Sequence, residues 1–155
     1  MQLKDDYRCA RIDELAADVT ADIIKHARVH LTAAQIKALR ATPITLVAAV
    51  TGKRLAVLGA FAKLTAGTNV LSESADNLAI RYAGSAVDLA TIETTGFIDQ
   101  AANTCAAAVI TSGIVASSAA VAKALVIANN GDGEIGGNAA GDAALDVDIF
   151  YRTIE

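Results

Sequence analysis

The sequence contains no tryptophan, one proline and two cysteines, and only 4% of its 155 residues are aromatic. With so few aromatic rings, the core has to be built mainly from valine, isoleucine, leucine and alanine. The two cysteines, Cys9 and Cys105, are too few to define a disulfide framework or a cysteine-ligated metal site. We therefore expect two unpaired thiols, as is usual in a reducing compartment.

Charge is also scarce, and no basic run stands out. Charged residues make up 19% of the chain, against about 25% in a typical soluble domain, and the formal net charge is -4. Non-specific binding to nucleic acid needs many phosphate contacts from lysine and arginine, so we expect no nucleic-acid partner. A weakly charged exterior favours a surface that a protein partner buries.

Long apolar runs are missing as well. The longest, Leu55–Ala62 and Cys105–Ile110, fall far short of the ~20 residues that span a bilayer. The start, Met1–Asp6, leads into charge, whereas a secretory signal has a positive start and then an apolar stretch. We expect a soluble protein that is made in the cytoplasm and has no membrane partner.

What the chain does contain is hydrophobic residues, which make up 54% of it. Much of this share is alanine, so the apolar side chains are mostly small. Its length is that of one ordinary domain, which buries roughly 70% of the surface of its unfolded chain. Residues 1–19 are charged and irregular and predict an N-terminal arm or short helix. Residues 20–155 are predicted to form one domain.

Patterning within that domain predicts mainly β structure. Ile23–Leu31 alternates loosely and Leu145–Ile154 strictly, with the period of two that strands show. Thr32 and Gln35 form a capping-box pattern, which predicts a short helix that Pro43 ends. Further β-like runs lie at Ile44–Val50, Arg54–Leu64, Leu78–Ala83 and Ala124–Ala128.

The alanine-rich segment Ile98–Ile110 is compatible with a helix or with a long loop packed on a sheet edge. Several strands separated by Gly, Asn and Asp turns favour a sandwich or barrel. Strands do not alternate with long amphipathic helices, which disfavours a parallel α/β sheet. The predicted fold is a single antiparallel β-sandwich with one or two short helices.

Gly131, Gly133 and Gly136 match the spacing of the G-x-G-x-x-G dinucleotide fingerprint and follow a plausible strand. In that fingerprint the third glycine opens a helix whose N-terminus receives the pyrophosphate. Here the chain continues into a strand with a period of two. We expect a glycine turn between strands and no bound cofactor.

The two histidines, His26 and His30, have the spacing of the H-E-x-x-H zinc motif, but position 27 is alanine. The motif's general base is therefore missing, and no third histidine completes the ligand set. We expect an exposed or interface histidine pair and no metal site.

Acidic residues near the glycine turn, Asp132, Glu134 and Asp142, are candidates for a calcium loop, because hard cations take carboxylate and carbonyl oxygens. The register of an EF-hand loop is not met, and a solvated turn is the default expectation. The acidic pair Asp5 and Asp6 is explained by solvation of the charged arm. With no G-x-S-x-G elbow and no persuasive Ser, His and Asp grouping, the sequence predicts a protein that is not an enzyme and has no catalytic residue.

Several blocks of the chain resemble small virion proteins of tailed bacteriophages, of the capsid decoration or cement type. They span about four-fifths of the chain: Leu31–Leu39, Thr42–Val47, Asn77–Tyr82, Thr94–Gln100, Lys123–Asn129 and Val147–Arg152. The segment Ala48–Lys53 departs from that pattern because it is shorter and lacks proline. The resemblance implies a jelly-roll-like β-sandwich that sits on the capsid as a trimer or related oligomer, and it supplies no catalytic residues.

Three functions follow as hypotheses. The first is a decoration protein on the capsid exterior that binds the major capsid protein, self-associates as a homotrimer and is assembled in the bacterial cytoplasm. Its arm, Met1–Val19, would become ordered on docking. The second is a tail, baseplate or host-adhesion component. The third is a small cation- or ligand-binding β domain that uses the Asp132–Asp142 loop.

Overall fold

Side chains along the strands alternate between buried and exposed positions, and this alternation produces the fold. We describe it from a computed structural model for residues 23–73, 77–115 and 120–155. The predicted arm, residues 1–19, lies outside the described residues. The strands are β1 (Lys25–Thr32), β2 (Ile44–Val47), β3 (Arg54–Thr65), β4 (Leu71–Ser72), β5 (Asn77–Tyr82), β6 (Asp88–Glu93), β7 (Thr104–Ala107), β8 (Val109–Ile110), β9 (Leu125–Asn129), β10 (Gly136–Gly137) and β11 (Ala144–Ile154). One helix, α1 (Ala33–Lys37), follows β1.

The strands form two main sheets and one small one, and every pairing is antiparallel. The four-stranded sheet has the order β1-β11-β3-β7, the five-stranded sheet has the order β2-β9-β5-β6-β8, and β10 pairs with β4. The predicted mainly β, antiparallel class with a short helix is confirmed.

The strand order bears on the jelly-roll-like subtype. Numbered along the chain, the eight strands of four or more residues lie in the orders 1-8-3-6 and 2-7-4-5. Eight strands wound as two Greek keys in a double sheet define a jelly roll. The observed order supports the subtype that the resemblance implies.

Both main sheets contribute to one core. From β11, Leu145, Val147 and Ile149 point inward and are fully buried, which confirms the alternation expected of the last strand. From the five-stranded sheet, Tyr82 reaches across to β3, where its hydroxyl donates to the carbonyl oxygen of Leu55 at 2.6 Å. Burial raises the pKa of the Tyr82 phenol. This bond and the shared apolar core hold the two layers together.

The helix begins as predicted but ends earlier than expected. The Thr32 side chain accepts from the Gln35 amide, and the Gln35 side chain accepts from the Thr32 amide at 2.9 Å, completing the capping box. The helix then stops at Lys37, and turns carry the chain to Ala41. Pro43 therefore does not end it. Burial of Ile36 on the core holds the short helix in place.

The segment Ile98–Ile110 is neither the helix nor the long loop that the sequence left open. The segment contains β7, which pairs with β3 from Phe61 to Leu64, and β8, which pairs with β6 at Ala90 and Thr91. It therefore crosses from an edge of one main sheet to an edge of the other. Strand β6, which was not predicted, buries Leu89 and Ile92.

Candidate interaction surfaces

The outer face of the four-stranded sheet carries an ion-pair network centred on Asp148 of β11. Arg28 lies directly opposite on β1 and donates twice to this carboxylate, from Nε at 2.8 Å and from Nη2 at 2.9 Å. His26 Nε2 lies 2.6 Å from the same carboxylate. The Arg28 hydrogen bond is the main reason why the pKa of Asp148 is lowered. The network ties the edge strand β1 to its neighbour.

The second histidine has its own carboxylate. His30 Nδ1 lies 2.7 Å from Oδ1 of Asp146, which stands opposite it in the register. The structure brings His26 and His30 onto one sheet face, where both are exposed, and places each beside a different aspartate. Within the described residues, no three His, Cys, Asp or Glu side chains are grouped so that they could hold a metal ion. These contacts fasten β1 to β11.

Three rings form a cluster on the same face, which we call the aromatic patch: His26 and Phe61, which are exposed, and Phe150, which is partly buried. The centroids of His26 and Phe150 are 5.0 Å apart, and those of Phe150 and Phe61 are 6.1 Å apart in an edge-on arrangement. Phe61 is 52% exposed. Cys105 lies on β7, is free and exposed, and stands opposite Lys63 of β3, whereas Cys9 lies outside the described residues.

A second apolar surface lies beside β8, the last strand in the order of the five-stranded sheet. We call it the edge patch: Val87, Val109 and Ile110. Val109 is 70% exposed, Val87 51% and Ile110 40%. Beyond Ile110 the chain stays beside β6, since Thr111 donates to the Leu89 carbonyl at 2.9 Å. These side chains therefore lie along one edge of the molecule. Exposed apolar side chains on an edge strand are a ready template for association.

The glycine segment Gly131–Gly136 forms the turn that was predicted. The Asn129 side chain accepts from the Gly131 amide and donates to the Gly133 carbonyl, both at 2.9 Å. The third glycine opens β10, and within residues 136–155 the chain forms strands and turns with no helix. The geometry that a dinucleotide fingerprint requires is therefore not formed here.

The acidic residues of the proposed calcium loop face different elements. Glu134 accepts from the backbone amides of Arg40 and Ala41 at 3.1 and 2.9 Å. Asp142 accepts from the Thr68 amide at 2.9 Å and from its hydroxyl at 2.7 Å. These bonds lower the pKa of Asp142 to about 2, with the Thr68 side chain contributing most. Both carboxylates anchor their loops to distant parts of the chain.

A buried asparagine completes this loop structure. Asn138 adopts a positive φ of 41°. Its side chain donates to the Asn69 carbonyl at 2.5 Å and to Asp142 at 3.0 Å, and accepts from the Ala143 amide at 3.1 Å. Gly67 packs so closely that an added Cβ would lie 2.1 Å from Asp142 Oδ1. We call Asn138, Asp142, Thr68 and Gly67 the loop network.

Two open depressions lie side by side on the five-stranded sheet, and Arg81 lines both. One is otherwise lined by Pro43, Thr45, Val126 and residues 83–86, the other by Arg40, Asn129, Asn130 and Gly131. Arg81 Nη1 lies 3.9 Å from Asp88 Oδ1, and the other oxygen of Asp88 accepts from Asn130. No histidine or cysteine lines either depression, so neither places a nucleophile beside an imidazole base.

Sequence reasoning missed both apolar surfaces. Alternation along β11 placed Phe150 on the outward face, which was the one available signal for the aromatic patch. Val109 and Ile110 lay in the segment whose structure was left open, and only the pairing of β8 with β6 brings them to an edge.

Comparison of the chain with family models, curated protein sequences and solved structures gave no match. The resemblance to bacteriophage virion proteins therefore stays a prediction. In the part of the chain that the structure describes, no helix combines the length and apolarity that crossing a membrane requires.

Proposed function

We propose that this chain is a structural virion protein that decorates a bacteriophage capsid, binding the major capsid protein and a second copy of itself. The blocks of resemblance spread over about four-fifths of the chain support the capsid role. The antiparallel double sheet is the architecture that the resemblance implies. A homotrimer on the exterior of the shell is the form of assembly that we propose.

The edge patch is the observation that carries this proposal. Val87, Val109 and Ile110 expose large apolar side chains beside strand β8, at the end of the five-stranded sheet, and exposed apolar patches mark interaction sites. An exposed apolar surface of this kind is suited to being covered in an assembly. We propose that a protein partner covers it on the shell.

In this role the protein acts by binding alone, and no chemical reaction is involved. A rigid double sheet presents the same surface in every copy, so contacts that are individually weak are repeated by the symmetry of the oligomer and the shell. Linked contacts of this kind raise the overall binding strength by roughly 10²–10⁴-fold over one contact alone. An oligomer that spans neighbouring capsid subunits would hold them together.

The proposal is tested by placing a charge in the edge patch. We expect Val109→Lys to fold normally, because Val109 is already exposed, and to lose most binding to capsid shells that lack the protein. Val50→Lys is the matched control, since Val50 is also exposed but follows β2 in a separate turn. Co-sedimentation with shells measures binding, and equal binding of the two variants would contradict the edge as the contact.

A further inference from the structure

Two arginine side chains line one of the depressions on the five-stranded sheet, which we call the arginine depression. Arg40 and Arg81 line it together with Asn129, Asn130 and Gly131. Its volume of about 330 Å³ lies within the range of about 300–1,000 Å³ that is usual for ligand sites. Among the described residues, no acidic side chain lines it. The depression therefore presents positive charge to a ligand.

The fold holds Arg81 in the middle of the sheet. It stands opposite Val126 of β9 and Asp88 of β6, next to an irregularity in the β5–β6 register of the kind that re-aims side chains. The Arg81 side chain is 19% exposed, and its Nη1 lies 3.9 Å from the Asp88 carboxylate, which is too long for a hydrogen bond. The guanidinium can therefore donate to a ligand, in a partly buried setting where charges interact more strongly than in bulk water.

Hydrogen bonds fix the loops around the second arginine. Glu134 accepts from the Arg40 backbone amide at 3.1 Å and from the next amide at 2.9 Å. Asn130 donates to Asp88 and accepts from the Asn77 amide. The Arg40 side chain is exposed, and among the described residues it pairs with no carboxylate. The nearby acids thus accept hydrogen bonds from the chain itself, while the charge of Arg40 remains for a ligand.

The neighbouring depression, which we call the Pro43 depression, offers apolar surface beside this charge. Pro43, Ala83 and Val126 are among its lining residues, and Arg81 is the wall that the two depressions share. Its volume is about 600 Å³. Side chains two residues apart on an extended peptide point to the same side and lie about 7 Å apart. An extended segment can therefore place an acidic and an apolar side chain in the two depressions at once.

We propose that the two depressions bind an extended acidic segment of a partner protein. An aspartate or glutamate carboxylate of the segment lies between Arg40 and Arg81, and an apolar side chain two residues away lies against Pro43 and Val126. Guanidinium groups hold carboxylates through charge-assisted hydrogen bonds, and loops that are already fixed need little ordering on binding. The proposal is independent of the edge patch and of the capsid role.

Calorimetric titration of the full-length protein tests the proposal, using a short capped peptide that has one glutamate and a valine two residues to either side of it. We expect binding that weakens as the salt concentration rises. Arg40→Gln and Arg81→Gln should each weaken it by about ten-fold, as should glutamine in place of the peptide's glutamate. Because Arg40 is exposed, Arg40→Gln keeps the test decisive should Arg81→Gln fail to fold.

Two control variants make the result specific. Lys63→Gln removes the same charge from an exposed position on the other main sheet and should leave peptide binding unchanged, as should Val109→Lys in the edge patch. Inorganic phosphate is titrated in parallel, and phosphate that binds as tightly as the peptide would overturn the proposal in favour of a simple anion site. No peptide binding at millimolar concentration, or equal binding of the glutamine peptide, would also overturn it.

Discussion

The loop network and the edge patch are opposite kinds of surface region. In the loop network, Asp142 accepts two hydrogen bonds from Thr68, and Asn138 both donates and accepts. At the edge patch, Val109 is 70% exposed, and no described side chain covers it. One region satisfies its polar groups within the chain, while the other leaves apolar area for a partner.

The contrast shows that residues resembling a site in the sequence can be structural. Glycines spaced like a fingerprint, acidic residues in a turn and two histidines four apart all suggested chemistry. In the fold, Glu134 and Asp142 anchor loops, and the histidines lie beside aspartates of the neighbouring strand. The surfaces that support a function are apolar and have no motif.

The largest expected effect comes from crowding the loop network. Gly67→Ala places a Cβ 2.1 Å from Asp142 Oδ1 and 2.8 Å from the Ala143 amide nitrogen, so the loop has to shift and lose hydrogen bonds. We expect the free energy of unfolding to fall by about 3 kcal/mol, measured by urea denaturation. Gly59→Ala is the control, because open space surrounds that position. Equal losses in both variants would mean that the network is not tightly packed.

A smaller effect is expected for the ion pair that fastens the edge strand. Asp148→Asn removes the charge that receives two bonds from Arg28 and one contact from His26. Arg28 is largely exposed and Asp148 is 16% exposed, so water screens the pair. We expect a loss of about 1 kcal/mol in the free energy of unfolding. Asp99→Asn, on an exposed turn, should change stability less, and a larger loss there would contradict this assignment.

The smallest effect is a change in pH dependence at Asp142. Its pKa is lowered to about 2 in the fold, so the charged form stabilises the native state above the usual aspartate pKa near 3.8. That contribution is lost as the pH falls from about 4 towards 2. Asp142→Asn should flatten the decline of stability in this range relative to the unaltered chain. Asp132→Asn is the control, and a decline that Asp142→Asn leaves unchanged would show that Thr68 does not hold a charged carboxylate.

Local patterns predicted much of the fold. The alternation of Leu145, Val147 and Ile149 fixed the last strand and its buried face, and Thr32 with Gln35 fixed the start of the helix. Long-range pairing was not predictable in this way. Strand β7 is alanine-rich and has little local signal, so only its pairing with β3 makes it a strand. Likewise, Thr68 and Asp142 are 74 residues apart, and nothing in the local sequence links them.

The central proposal, decoration of a capsid, is tested most directly by imaging virions that carry a labelled copy of this protein. Electron microscopy of purified particles shows where the label lies and, with quantification, how many copies each particle carries. We expect label over the whole shell in many copies. Label confined to the tail would support the tail, baseplate or adhesion alternative, and particles without label would contradict a virion role altogether.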